Sequence, residues 1–154
     1  MKTSAALLLH RIREDGEPEL LLAHMGGPFW AKKDAAGWTI PKGEFEPGAD
    51  PREAAIREFT EEMGRPPPEG DDVLLGTLRQ SSAKSVTIFA RAGNFDADHI
   101  ASNMTEIEWP PRSGRRLEIP EVDRARWCTL DEAARLLIRG QVPVIDLLRQ
   151  ELSR

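Results

Sequence analysis

The segment from Asp50 to Gly64 constrains this chain more than any other. Asp50 is a residue type that caps helices, Pro51 suits the first helical position, and Glu53 falls where it completes a capping box with Asp50. Gly64 suits a left-handed helix end, and Pro66-Pro67-Pro68 forbids continuation. The spacing predicts a helix over 51–63. On its wheel Ala55, Ile56, Phe59 and Met63 form one apolar stripe that faces a core. Glu58, Glu61 and Glu62 stand at i, i+3 and i+4 and share another face. Arg57 borders them, one turn before Glu61, and can also meet Glu53.

Three carboxylates on one face repel one another by a few tenths of a kcal/mol per pair when exposed. They also crowd the C-terminal end of the helix, where the macrodipole disfavours negative charge. Stability alone does not select this pattern, and a solvated face with an Arg57–Glu61 ion pair is its plain reading. A hard divalent cation with oxygen ligands turns the same penalty into binding energy.

The rest of the chain reads as one α+β domain over residues 1–154. Residues 3–13 and 18–25 are apolar runs joined by Glu14-Asp15-Gly16-Glu17, a hairpin with a polar turn. Gly26-Gly27-Pro28 breaks the pattern and opens a loop with Trp30, Lys32, Lys33 and Asp34. A brief strand at 38–40 and an irregular loop at 41–48 lead into the helix. Strands are expected at 73–80, 85–91, 105–109 and 122–129, and a short helix at 96–102. A basic loop spans 110–116, and helices follow at 131–139, capped by Asp131, and at 144–152.

At 154 residues, 40% apolar and 31% charged, the chain suits a soluble domain with a real core. A net charge of −5 argues against nucleic acid as a partner, which needs an extended basic surface, but not against a small anion held by local cations. No apolar run approaches the roughly 20 residues that span a bilayer, so no membrane partner is expected. The run at 5–9 is too short for a signal-peptide core, and the expected location is cytoplasmic. The single Cys128, beside Trp127 in a strand, excludes an internal disulfide and reads as a buried inert thiol. Ser81-Ser82-Ala83-Lys84 matches S-x-x-K without companion motifs and reads as chance. His10, His24 and His99 lack zinc-ligand spacing.

The stretch from Gly43 to Gly64 resembles the Nudix box, written G-x5-E-x7-R-E-U-x-E-E-x-G-U with U apolar. Gly43, Arg57, Glu58, Phe59, Glu61, Glu62 and Gly64 match in register. Ala49 stands where the pattern has its first glutamate, and Arg65 where an apolar residue is usual. Trp38-Thr39-Ile40-Pro41-Lys42-Gly43-Glu44 looks like the W-x-L/I-P-K-G segment of members acting on dinucleoside polyphosphates. The outline is similar to a bacterial subgroup of predicted nucleotide pyrophosphohydrolases. The resemblance implies the Nudix α/β/α sandwich, with a mixed central sheet between helices in a single domain.

It also implies a Mg²⁺-dependent (or Mn²⁺-dependent) pyrophosphohydrolase that cleaves a phosphoanhydride bond in a nucleoside diphosphate-linked small molecule. Dinucleoside polyphosphates come first, then nucleoside triphosphates, then sugar or ribose conjugates. By resemblance Glu58, Glu61 and Glu62 bind the metal, with the Gly43 carbonyl as a further ligand, and Arg57 orients the glutamates. A general base in such proteins often lies six residues before a strand-ending tryptophan. Glu121 has that spacing to Trp127, and Glu106 and Glu108 are the alternatives. Lys42 reads as a phosphate ligand, with Arg112, Arg115 and Arg116 as a second basic group, and Trp30 or Trp109 as stacking partners for a base. Surface charge and rim packing are the plain readings of these residues. Family members are often dimers, so a homodimer stays open. The competing reading is a non-catalytic Nudix-fold module that binds a nucleotide and regulates a partner. Ala49 favours the module, and the intact Glu61 and Glu62 oppose it.

Overall fold

A computed structural model describes residues 1–154. In chain order its strands are β1 (Lys2–Ile12), β2 (Pro18–Met25), β3 (Trp38–Thr39), β4 (Lys42–Glu44), β5 (Asp72–Ser81), β6 (Lys84–Ala92), β7 (Met104–Glu108), β8 (Arg116–Pro120) and β9 (Val122–Thr129). The helices are α1 (Pro51–Met63), α2 (Leu130–Leu136) and α3 (Val144–Leu152), with a 3₁₀ turn at Arg139–Gln141. Strands β1 and β2 carry unbroken apolar runs rather than an alternating pattern, which suits strands buried on both faces. They accordingly sit at the middle of a sheet ordered β3-β2-β1-β6-β5. The β1–β6 pair is parallel and the other pairs are antiparallel, including β9 on β2 and β4 on β1.

Because side chains alternate along a strand, β1 feeds two cores. Ala5, Leu7 and Leu9 face α1, which lays down Ala54, Ala55, Phe59 and Met63. Ala6 and Leu8 face the opposite side, where α2 and α3 supply Ala133, Leu136 and Leu148. Helices on both faces of a mixed sheet make the α/β/α sandwich that the sequence implies. No helix is long and apolar enough to cross a membrane.

Several local expectations change. The buried face of α1 takes in Ala54 and Glu62 and leaves Ile56 half-buried, so Glu62 lies deeper than Glu58 and Glu61. Asp50 accepts the Arg52 main-chain N–H at 2.9 Å, and Glu53 returns no bond, so there is no capping box there. A true capping box starts α2 instead: Thr129 Oγ1 accepts the Glu132 N–H, and Glu132 Oε1 accepts the Thr129 N–H at 2.9 Å. Helix α2 therefore begins before Asp131. It stops at Leu136, since Ile138 N–H then bonds the Trp38 carbonyl at the sheet edge. The expected helix at 96–102 is a turn, with Asp96 bonded to its own neighbours Asp98 and His99. The loop expected at 41–48 contains β4, and β8, which was not expected, follows the basic loop with Leu117 and Ile119 alternating with Arg116 and Glu118. Cys128 is buried, and burial pushes its thiol up to about 12, which leaves it inert.

One ion cluster ties α1 to the sheet. The Asp72 carboxylate, 2% exposed, receives Arg91 Nε at 2.7 Å, Arg91 Nη2 at 2.8 Å and Arg52 Nε at 2.6 Å. Burial alone would raise the Asp72 pKa, but the bonds from Arg91 and Arg52 outweigh it and hold the carboxyl below its usual range. Replacing Asp72 with Ala leaves Arg91 buried and unpaired, and is expected to cost about 3–5 kcal/mol in urea unfolding at pH 7. A depressed native pKa gives stability that is present above the unfolded value of about 3.9 and lost as pH falls through the native one. The gap between variant and wild type should therefore close with acidification. An unchanged midpoint at pH 7 would contradict this role.

Candidate active site

Between β3 and β4 the chain leaves its partner β2 and joins β1. Main-chain groups at such a crossing lose their ladder partners and need others. Thr39 Oγ1 donates to the Ile40 carbonyl at 2.9 Å, and Gln141 Oε1 accepts the Ile40 N–H at 2.9 Å. Pro41 has no N–H to satisfy, and its carbonyl accepts the Leu7 N–H at 3.2 Å. The Lys42 N–H goes to Glu62 Oε1 at 3.1 Å. This bond explains why a glutamate from the last turn of α1 lies only 6% exposed. Burial pushes the Glu62 carboxyl up to about 8, with Glu121 and Glu58 adding to the rise and Lys42 opposing it.

The neighbouring glycine is needed for a close approach. A Cβ on Gly43 would fall 2.0 Å from Glu58 Cδ, so the Gly43 main chain lies directly against the Glu58 carboxyl. Burial, and then the Glu61 charge, raise the pKa of Glu58, while Arg57 opposes them with Nη2 3.5 Å from Oε1. Glu61 stays exposed beside them.

Glu121 comes from a distant part of the chain. Its N–H donates to the Asn103 carbonyl at 3.0 Å, and Asn103 N–H donates to the Glu61 carbonyl at 2.9 Å. Its own carbonyl accepts the Gly26 N–H at 3.0 Å. Asn103 thus links Glu121 to the end of α1, near enough for its charge to raise Glu58 and Glu62. A cavity of about 440 Å³ opens here, lined by Lys42, Glu62, Glu121, Lys84 and Trp30 among others. Burial lowers the Lys42 pKa, Glu62 opposes, and Lys84 lowers it further. Lys84 sits inside the S-x-x-K match that sequence reading sets aside, and only its place at the start of β6 brings it here.

Other candidates lie elsewhere. Glu106 pairs with Arg116 at 3.5 Å, and Glu108 accepts the Arg112 N–H at 2.9 Å, both on the exposed β7–β8 arm. Trp109, Arg112 and Arg115 occupy its tip, and none of them lines the cavity. His24 carries no zinc spacing and is instead a fully buried tie, with Nδ1 2.8 Å from Asp123 Oδ1 and Nε2 2.6 Å from the Lys33 carbonyl.

Glu58 feels the charges of Glu61 and Glu121, and Glu62 those of Glu121 and Glu58; carboxylate oxygen is the donor chemistry a hard divalent cation takes. No three side chains converge into a ready-made ligand cluster.

A family model described as NUDIX domain matches residues 1–148. Among solved structures the chain is similar to a C. elegans Ap4A hydrolase binary complex, at 21% identity and TM-score 0.69 over 99% of this chain and 98% of that one. It is similar to the NUDIX domain of Shewanella oneidensis NrtR complexed with ADP ribose, at 15% identity and TM-score 0.64 over 97% and 87%. A MutT protein from Methanosarcina mazei Go1 shares 19% identity at TM-score 0.62 over 99% and 96%. At these identities the likeness is one of fold. No curated protein matches the chain significantly.

Replacing Gly43 with Ala forces the Glu58 carboxyl aside, and because a side chain rather than backbone stands in the way, the fold should survive. Calorimetric titration with Mn²⁺ is expected to show affinity weakened about tenfold or more at an unchanged melting profile. Wild-type affinity in the variant would separate Gly43 and Glu58 from any cation site.

Proposed function

The chain belongs to the Nudix family, and we propose that it hydrolyses a phosphoanhydride bond in a nucleoside diphosphate-linked small molecule, in the cavity beside the end of α1. A dinucleoside polyphosphate or a nucleoside triphosphate is the favoured substrate. The observation that carries this reading is that Lys42, Glu62 and Glu121, from three separate parts of the chain, line one cavity against the box helix.

Glu58, Glu61, Glu62 and the Gly43 carbonyl would hold Mg²⁺ or Mn²⁺, which when bound neutralises diphosphate oxygens and makes water more acidic. Lys42 and Lys84 line the same cavity, and their ammonium groups would grip phosphate oxygens. Glu121 acts as general base, taking one proton from the water that attacks phosphorus. The new P–O bond forms as the bridging P–O bond breaks, and the bridging oxygen leaves with the electron pair on the second phosphate product. Asn103 and Gly26 hold the Glu121 main chain, which fixes the direction from which the base approaches. Arg57 steadies Glu58 from the solvent side. A binding module without turnover is the second reading, and its support is Ala49, exposed in the loop before α1 where the box has a glutamate.

The test is a product assay with dinucleoside polyphosphates, nucleoside triphosphates and ADP-ribose, in Mg²⁺, Mn²⁺ or EDTA. Metal-dependent cleavage to two phosphorylated products is expected. Glu121→Gln should lower kcat by about 10²–10⁴-fold with little change in KM. A change under threefold removes Glu121 from the role of base. Tight nucleotide binding with no turnover in any metal would favour the module.

A further inference from the structure

The hairpin of β5 and β6 carries a bulge that the proposed chemistry leaves unused. Arg79 pairs with Ser85 and Ser81 with Lys84, so Gln80 is an extra residue with no partner across the strand pair. A bulge re-aims the side chain it carries, and Gln80 lines the cavity beside the end of α1 together with Lys42 and Lys84. A glycine lets the 3₁₀ turn lie directly on the bulge. A Cβ on Gly140 would fall 2.2 Å from the Gln80 carbonyl oxygen, and the next residue, Gln141, is fully buried.

A relay of hydrogen bonds sets the orientation of the Gln80 amide. The Ile40 N–H can only donate, and it meets Gln141 at 2.9 Å, so the Gln141 oxygen must face it. The Gln141 NH₂ is then turned the other way, where it donates to Thr39 Oγ1 at 2.9 Å and to Gln80 at 3.2 Å. Gln80 must therefore present its oxygen to Gln141. Its own NH₂ has no protein partner, and because no side-chain nitrogen or oxygen is both buried and unpaired, that NH₂ is open to solvent. The core thereby fixes a donor, not an acceptor, at the cavity surface.

We infer that Gln80 is a specificity-determining residue: its amide donates to a phosphoryl group beyond the pair whose shared bond is cleaved, so the cavity favours chains of three or more phosphates over diphosphate-linked substrates. The inference rests on the reading above that this cavity takes the phosphates.

Two further observations support it. The first is the order of the donors. The Glu62 charge raises the Lys42 pKa and the Lys84 charge lowers it, so Lys42 is in reach of both the box helix and the β5–β6 hairpin. Lys84 pairs with Ser81, the neighbour of Gln80. Lys42, Lys84 and Gln80 thus run from the box helix to the bulge, and a phosphate chain anchored at the proposed cation site meets donors along its continuation. The second is the chemistry of the wall. Two ammonium groups and an outward amide NH₂ only donate, and the oxygens of an ionised phosphate only accept. The amide is neutral, so it adds a bond without adding to the repulsion between the lysines.

Two substitutions separate a donor from a merely structural side chain. Gln80→Glu keeps an oxygen for Gln141 and exchanges only the outward NH₂ for an oxygen, whereas Gln80→Met removes both. Calorimetric titration in saturating Mg²⁺ would compare inorganic tripolyphosphate with pyrophosphate, beside a melting curve of each variant. Wild type is expected to prefer tripolyphosphate. Both variants should weaken its binding about tenfold or more, Gln80→Glu the further, while pyrophosphate binding changes less than about threefold. If Gln80 only supports Gln141, Gln80→Glu will bind tripolyphosphate as wild type does and Gln80→Met alone will suffer, which would overturn the inference. An equal loss for the two probes would also overturn it. Gln80-dependent tripolyphosphate binding with no substrate turned over would leave this inference standing and defeat the proposed hydrolysis. Metal-dependent cleavage, with the preference for the longer chain unmoved by either variant, would do the reverse.

Discussion

The hydrogen bond from the Lys42 main chain to the buried Glu62 carboxylate fixes more of this protein than any other single contact. It helps close the crossing from β3 to β4, where the chain passes from β2 to β1. It also sets which way α1 is turned about its axis. Ala54 and Ala55 are small enough to let the helix sit close on β1, and the turn that buries them carries Glu62 inward. A carboxyl in that position is poorly solvated and is pushed up to about 8, close to two further glutamates that also repel it. Such a group weakens a fold unless something else gains from it. The proposed cation site supplies that gain.

Around this point the cavity is built from pieces far apart in sequence. Lys42 comes from the crossing, Lys84 from the start of β6, and Glu121 from the turn between β8 and β9. Each is placed by main-chain bonds rather than by a shared element, which makes the position of Glu121 depend on Asn103 and Gly26. The wall of the cavity at Gly26 depends likewise on glycine, since Pro120 and Ile119 of the arm fill the space that side chains on Gly26 and Gly27 would take.

Much of this was legible in the chain. Asp50-Pro51 and Gly64 with the prolines after it mark the limits of α1, because caps act locally. The apolar runs of β1 and β2 mark the sheet's centre for a similar reason, since burial on both faces removes alternation. The box residues are visible through the family resemblance that their spacing carries. What sequence could not supply depends on distant partners. A helical wheel treats Glu61 and Glu62 alike, and only the Lys42 N–H separates them. Thr129 wins the cap of α2 from Asp131 because β9 delivers it there with Glu132 in reach. Lys84 carries no local mark at all. Trp109 and Arg112 have the composition of a ligand-binding loop, but they are not among the residues that line the cavity.

The most direct measurement is an anomalous-scattering map from crystals soaked in Mn²⁺. The account predicts a peak bounded by the Gly43 carbonyl and the carboxylates of Glu58, Glu61 and Glu62, at the edge of the cavity that Lys42 and Glu121 share. A well-ordered protein with its only Mn²⁺ peaks elsewhere, or with none, would contradict the claim that the buried carboxylate at the end of α1 exists to serve a cation site.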